Sequence, residues 1–225
     1  QTDLFVIATP TETHYSIIYE LITNKIKSDA AFVIEKPVGL RLEESIKIKE
    51  VLAGRKVFVN YIRRTSLLTI ELEKLRAIDN IKEFNCWFEG GWSNIGSHFI
   101  DLFLFYTRDQ NGLEVSFENN KLVLARDKSI GRFENIKFAK PVESPYMFEL
   151  ISKHKWIGLD GGNILKRIEP HTGEEVIVLQ NGMSFYQKFF YDELFEPKNS
   201  NMIAVIEDAT KVQCVLEAVN ETTRN

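Results

Sequence analysis

The feature that most constrains this chain's fold is the alternation of two hydrophobic rhythms across residues 1–61. Leu4 to Ala8 reads as a buried strand. Thr11, Glu12 and Thr13 then open an amphipathic helix in which Ile17, Ile18, Leu21 and Ile22 recur at helical spacing. Ala31 to Ile34 reads as a second strand. After Pro37 and Gly39, a helix carrying Leu42, Ile46, Ile48 and Leu52 ends near Gly54, and Val57 to Tyr61 forms a third strand. Near-continuous apolar strands joined by helical crossovers predict a parallel sheet covered on both faces, with right-handed connections. Ligands of such sheets gather at the carboxyl ends of the strands.

The pattern changes after Tyr61. Ser66 to Ala77 reads as helix, Ile81 to Phe88 as strand, and Ser93 to Thr107 as a helix with a strongly apolar face. Strands dominate from Leu113. Gly112 to Phe117 and Lys121 to Arg126 flank the turn Glu118-Asn119-Asn120, and Trp156 to Leu159 and Asn163 to Ile168 flank Asp160-Gly161-Gly162, so both pairs predict antiparallel hairpins. Another strand, Glu175 to Leu179, follows a turn at Pro170 to Gly173. Helices are expected near Phe185 to Leu194 and over Met202 to Thr222, separated by a loop at Pro197 to Asn201. The expected class is α/β: a partial Rossmann-type parallel sheet over 1–61, then an α+β domain with a largely antiparallel open sheet over 62–225. The last helix of that second domain is free to pack back on the first.

A formal charge of -4 and the lack of a Lys/Arg block give no reason to expect nucleic acid. The longest apolar run, Phe99 to Tyr106, is interrupted by Asp101 and far shorter than the roughly 20 residues a membrane span needs. The opening residues contain no signal peptide, so a cytoplasmic protein is expected. Cys86 and Cys214 are read as buried, reduced thiols. The four histidines, His14, His98, His154 and His171, form no H-x-x-x-H or H-E-x-x-H pair, and no metal is expected.

Three separated segments, in order, carry a resemblance to a known family. They are Val6-Ile7-Ala8-Thr9-Pro10 with Thr13-His14; Glu35-Lys36-Pro37; and Gly90-Gly91 leading to Gly96-Ser97-His98 and Asp101. Ile206-Glu207-Asp208-Ala209 adds a closing helix. Together they resemble the Gfo/Idh/MocA family of NAD(P)-dependent oxidoreductases over nearly the whole chain, with residues 64–90 shorter than usual for it. The family's opening strand, G-x-G-x-x-G/A turn and helix have no counterpart before Thr9, and are expected in upstream coding sequence.

That resemblance implies roles for named residues. Lys36 is expected at the nicotinamide ribose and the reacting hydroxyl, with a cis peptide before Pro37, and His98 in proton transfer at the same hydroxyl. Ala8, Thr9, Pro10, Thr13, His14, Glu35 and Pro37 are expected beside NAD or NADP. For Thr11 to Thr13 helix capping alone is the bland alternative, and for His14 a partly exposed first-turn side chain. Asn94 stands where many relatives carry aspartate; an amide cannot act as a base, but it can orient a sugar hydroxyl. Asp101, one helical turn after His98, is expected to contact substrate or to back the histidine, with a purely structural hydrogen-bonding role equally open. Arg64, with Arg63, follows the third strand and is expected to contact substrate or merely to be solvated.

The implied activity is hydride transfer between nicotinamide and a hydroxyl-bearing carbon of a sugar or nucleotide sugar, in a homo-oligomer. The competing expectations are a catalytically silent sugar-binding or assembly subunit and a truncated, inactive fragment.

Overall fold

A computed structural model describes residues 3–75, 78–118, 121–136, 146–159, 164–169, 173–179, 188, 190–192, 194–195 and 202–223. The hairpin turns at 119–120 and 160–163, the turn at 170–172, His171, most of the helix expected near Phe185 to Leu194, and the loop at 197–201 lie outside these residues.

In chain order the first elements are β1 (Leu4–Ile7), α1 (His14–Thr23), β2 (Ala31–Ile34), α2 (Leu42–Val51), β3 (Val57–Val59) and α3 (Leu67–Lys74). Then come β4 (Glu83–Phe88), α4 (Ser97–Tyr106), β5 (Glu114–Glu118), β6 (Lys121–Arg126), β7 (Ser129–Asn135) and β8 (Tyr146–Ile151). The last are β9 (Lys155–Leu159), β10 (Ile164–Glu169), β11 (Gly173–Val178), β12 (Ala204–Val205) and α5 (Ile206–Thr223). The chain divides into two compact units, residues 1–61 with 197–225, and residues 62–196.

The first unit holds a four-stranded sheet in the order β1-β2-β3-β12. β1, β2 and β3 run parallel, as the apolar runs predict, and β12 adds to β3 antiparallel. The crossovers β1-α1-β2 and β2-α2-β3 step in one direction, so right-handed connections put both helices on one face of the sheet. Accordingly α1 packs against α2, and α5 packs against α2 and β3. Ile18, Phe32, Ile34, Ile48, Val59 and Val215 are buried. α5 also caps α2: the Glu217 carboxylate accepts from the Leu42 amide at 2.5 Å, and Gln213 donates to the Leu40 carbonyl at 3.3 Å. The first of these bonds satisfies an amide that a helix start otherwise leaves open.

The second unit is built on an eight-stranded sheet, β11-β10-β9-β8-β4-β7-β6-β5, antiparallel throughout except for the parallel pair β4-β7. Two of its strands, β7 and β8, went unrecognised in the sequence. β7 carries Gly131, Arg132 and Glu134, which dilute its apolar signal. Phe84, Phe103, Tyr106, Phe133 and Phe148 gather on the sheet's inner face, with ring centroids 5.4–6.2 Å from Phe84. Gly158 permits the close approach there: a Cβ would lie 2.5 Å from the Phe148 ring and 2.9 Å from Leu68. All ten residues of α4 are buried, the polar Ser97, His98 and Asp101 among them.

Among the described residues no helix is long and apolar enough to cross a membrane. Cys86 is buried as expected. Cys214 is exposed on α5, contrary to the expectation, because its position falls on that helix's outer face.

Candidate active site

The candidate residues fall into two groups, one in each unit. In the first unit they follow strand ends at the sheet's carboxyl edge. Ala8, Thr9 and Pro10 leave β1 as an exposed ledge. Thr13 donates its hydroxyl within that turn, 2.8 Å from the Thr9 hydroxyl and 2.7 Å from the Pro10 carbonyl. Thr13 occupies the position before α1 but its side chain makes no capping bond, so simple capping does not account for it.

His14, expected beside the cofactor or partly exposed, is completely buried. Its Nδ1 lies 3.1 Å from the Val38 carbonyl and its Nε2 2.9 Å from the Thr9 carbonyl. The ring therefore sits beneath the two loops rather than on their surface.

Glu35, Lys36 and Pro37 leave β2, all partly exposed, and the Lys36–Pro37 peptide is cis. The Glu35 amide donates to the Ile7 carbonyl at 2.9 Å, extending the β1-β2 ladder past the strand. Its carboxylate accepts from the Asn60 side chain at 2.5 Å. Asn60 was not singled out in the sequence, although it follows β3 as Thr9 follows β1 and Glu35 follows β2; the strand-end rule alone would have found it. Thus three successive strand ends contribute to one edge.

In the second unit β4 ends at Phe88, and Gly90-Gly91 lead into a π-helical turn over Trp92–Gly96. The Gly96 amide donates to the Gly91 carbonyl at 3.3 Å, the i to i-5 bond that widens such a turn. Gly96 must lack a side chain: a Cβ would stand 2.8 Å from the Phe88 ring and 2.9 Å from the Trp92 ring. The expectation of a single α-helix from Ser93 is corrected here, and α4 begins only at Ser97. Asn135, at the end of β7, donates to the Gly90 carbonyl at 2.7 Å and holds the turn's entrance.

Asn94 lies exposed on the π turn, while His98 is 8% exposed in the first turn of α4. Asp101 is fully buried. Its two oxygens accept from Arg64, at 2.8 Å from Nε and 2.6 Å from Nη2. Arg64 is 3% exposed and its guanidinium lies 4.9 Å from the centre of the Phe105 ring. The preceding Arg63 lies over Phe99 at 4.8 Å. The turn Ile62–Thr65 is thereby bound to α4 along one side. Asp101 and Arg64, expected separately at substrate, are joined to each other in this bidentate pair.

Burial sets the protonation of two further groups behind this helix. The Tyr106 phenol is pushed well above its ordinary value by burial, only partly offset by its hydrogen bond with Thr69. The Cys86 thiol is likewise pushed up by burial. Both stay neutral and act as packing groups. Among the described residues no cluster of His, Cys, Asp or Glu is arranged to hold a metal.

No family profile matches the sequence, and no curated protein does. Solved structures do match in fold. An inositol dehydrogenase homologue complexed with NAD+ from Azotobacter vinelandii aligns over 96% of this chain and 74% of its own, with a TM-score of 0.72 at 14% identity. An oxidoreductase from Agrobacterium radiobacter in complex with NAD+, L-tartaric acid and magnesium aligns over 99% and 78%, at 0.70 and 15%. The super-repressor mutant of Gal80p from Saccharomyces cerevisiae aligns over 97% and 77%, at 0.76 and 15%. The chain shares the fold of these NAD+-bound oxidoreductase structures and of Gal80p. The expected class, a parallel-rich sheet followed by a largely antiparallel open sheet, is the one observed. At these identities the likeness is one of fold.

Proposed function

We propose that this chain is an oxidoreductase of the Gfo/Idh/MocA family, using NAD or NADP and acting on a CH–OH group of a sugar or nucleotide sugar. The observation that carries the reading is the carboxyl edge of β1, β2 and β3. There Ala8-Thr9-Pro10, Glu35-Lys36-Pro37 and Asn60 line up at successive strand ends, where open parallel sheets bind ligands. This edge fits the nicotinamide end of a dinucleotide: it is small and exposed at 8–10 and carries a cation at Lys36. The pyrophosphate is a different matter. The 225 residues contain no glycine-rich G-x-G-x-x-G turn, and the start of α2 is capped by Glu217 and Glu44.

When bound, the nicotinamide supplies the hydride acceptor or donor. Ala8, Thr9, Pro10, Thr13, Glu35 and Pro37 are assigned to holding it. Lys36 and His98 are assigned to the proton of the reacting hydroxyl, a task suited to imidazole near neutral pH. Asn94, exposed and able both to donate and to accept, is assigned to orienting the substrate. Arg64 and Asp101 serve the site by holding α4, the helix that carries His98.

The test is calorimetric titration of the chain with NAD+ and NADP+, followed by absorbance assays of dinucleotide reduction against a panel of sugars and nucleotide sugars. Turnover should fall by about 10²–10⁴-fold in Lys36→Ala and in His98→Asn. Sugar binding without dinucleotide binding would instead support a silent binding or assembly subunit, a reading favoured by Asn94 in place of a carboxylate. We also propose a cytoplasmic homo-oligomer formed through the outer face of the eight-stranded sheet. Trp87 pairs with Met147 across β4 and β8 on that face, and Val176 and Val178 stand exposed on β11. A monomeric mass by sedimentation would refute this interface.

A further inference from the structure

We propose that His14 is a positioning residue for Lys36, acting as a doubly protonated ring that ties the loop after β2 to the loop after β1; the inference rests on the cofactor reading above. Both hydrogen-bond partners of the imidazole are backbone carbonyls, Thr9 at 2.9 Å and Val38 at 3.1 Å. A carbonyl only accepts. A neutral imidazole offers one N–H and one lone pair, so it would satisfy one of these oxygens and point its lone pair at the other. Only a ring with hydrogens on both nitrogens donates to both. The ring is wholly buried, so water cannot take the place of either bond.

The two carbonyls are in telling places. Thr9 belongs to the exposed ledge after β1. Val38 is the second residue after Lys36 and is itself buried. The near side of Lys36 is already fixed by the Glu35 amide on the Ile7 carbonyl and by the Glu35 carboxylate on Asn60. The Val38 bond fixes the far side. Lys36 is thereby carried on a short span whose backbone is pinned at both ends, which fixes where its side chain starts. The charged groups on the elements that meet the ring are Glu12 on its own turn, Glu35 and Lys36 on the β2 loop, and Glu44 at the start of α2. Glu12 is exposed, Glu35 is bound to Asn60 and Glu44 to the Leu40 amide.

The experiment uses the whole chain with 15N-labelled histidine. Ring protons of exposed histidines exchange too fast to be observed, so His14 should show two persistent ring N–H resonances, both lost in His14→Gln. A single ring N–H would overturn the doubly protonated brace. Hydrogen exchange over 38–40 should quicken roughly tenfold or more in His14→Phe, and less in His14→Gln, whose amide keeps a donor. Unchanged exchange in both variants would overturn the positioning role. Where the wild-type chain turns over a dinucleotide, His14→Phe should lose kcat as Lys36→Ala does, with partial rescue in His14→Gln. If the wild-type chain binds no dinucleotide, the functional reading fails by itself, and the ring protons and loop exchange still decide the brace.

Discussion

Removing Asp101 tests whether the ion pair with Arg64 holds α4 in place. The Asp101→Leu chain leaves the Arg64 guanidinium, only 3% exposed, without the carboxylate that took its Nε and Nη2 hydrogens. Breaking one side of such a buried pair costs about 3–5 kcal/mol, because the remaining charge stays desolvated. That is a large part of the roughly 5–15 kcal/mol by which domains are stable. With a urea slope of about 2 kcal/mol/M, the unfolding midpoint should fall by roughly 1.5–2.5 M. The paired variant Arg64→Met with Asp101→Leu removes both charges and keeps comparable volume, so it should recover most of the loss. Urea titrations followed by tryptophan fluorescence and circular dichroism would measure all four corners of the cycle. A loss under about 1 kcal/mol in Asp101→Leu, or a double variant equal to the sum of the singles, would refute the reasoning. The same proteins separate bracing from substrate contact. If the pair only braces α4, the refolded double variant keeps substrate affinity, whereas a ligand role for either residue would lose it.

Gly158→Ala should destabilise the second unit by about 1–3 kcal/mol, since the new methyl would be 2.5 Å from the Phe148 ring; a urea midpoint unchanged from wild type would show that the ring yields freely. Tyr106 should make the fold alkali-sensitive. Burial raises its folded value above the ordinary phenol value of about 10, so above that pH the unfolded chain releases a proton that the folded chain retains. Its contribution is full below about pH 10 and is lost as pH rises toward the folded value, at up to about 1.4 kcal/mol per pH unit. Tyr106→Phe should flatten that slope, leaving the share of Cys86, which has the same sign; identical slopes in the two proteins would refute the assignment.

The parallel part of the fold was legible because each of its strands is a short apolar run bounded by turn residues. Ala31–Ile34 was read with the bounds observed, and β1 and β3 to within two residues. β12 was not legible: two residues, Ala204 and Val205, join a sheet only through their long-range pairing with β3, and locally they look like the start of α5. β7 was missed for a related reason. The pairing of β7 with β4 supplies stability that its own composition does not advertise, whereas β8, with Met147, Phe148, Leu150 and Ile151, carries a strand signal that went unrecognised. The π turn at Trp92–Gly96 differs from an α-helix by one residue of hydrogen-bond register, set by ring contacts with Gly96 that no hydrophobic period encodes.

For the candidate site, the residues singled out in the sequence divide by burial. Lys36, Thr9, Pro10 and Asn94 stand at least partly open on their own units, where a ligand can be met. His14 and Asp101, from the same motifs, and Arg64, singled out by its place after β3, are buried and bonded to carbonyls or to each other. The difference follows from geometry that spacing cannot supply. His14 begins α1 one turn beyond the ledge, so its side chain reaches back beneath Thr9 and meets Val38 from below. Asp101 follows His98 by three positions on a helix buried all round, so a carboxylate there had to find a cation inside the protein, and the turn after Tyr61 brings Arg64 to it. A polar residue in a ligand motif therefore has two ways to matter, by touching the ligand or by fixing the residue that does. Burial with a complete set of internal partners marks the second, and for His14 the two carbonyls state which residue is being fixed.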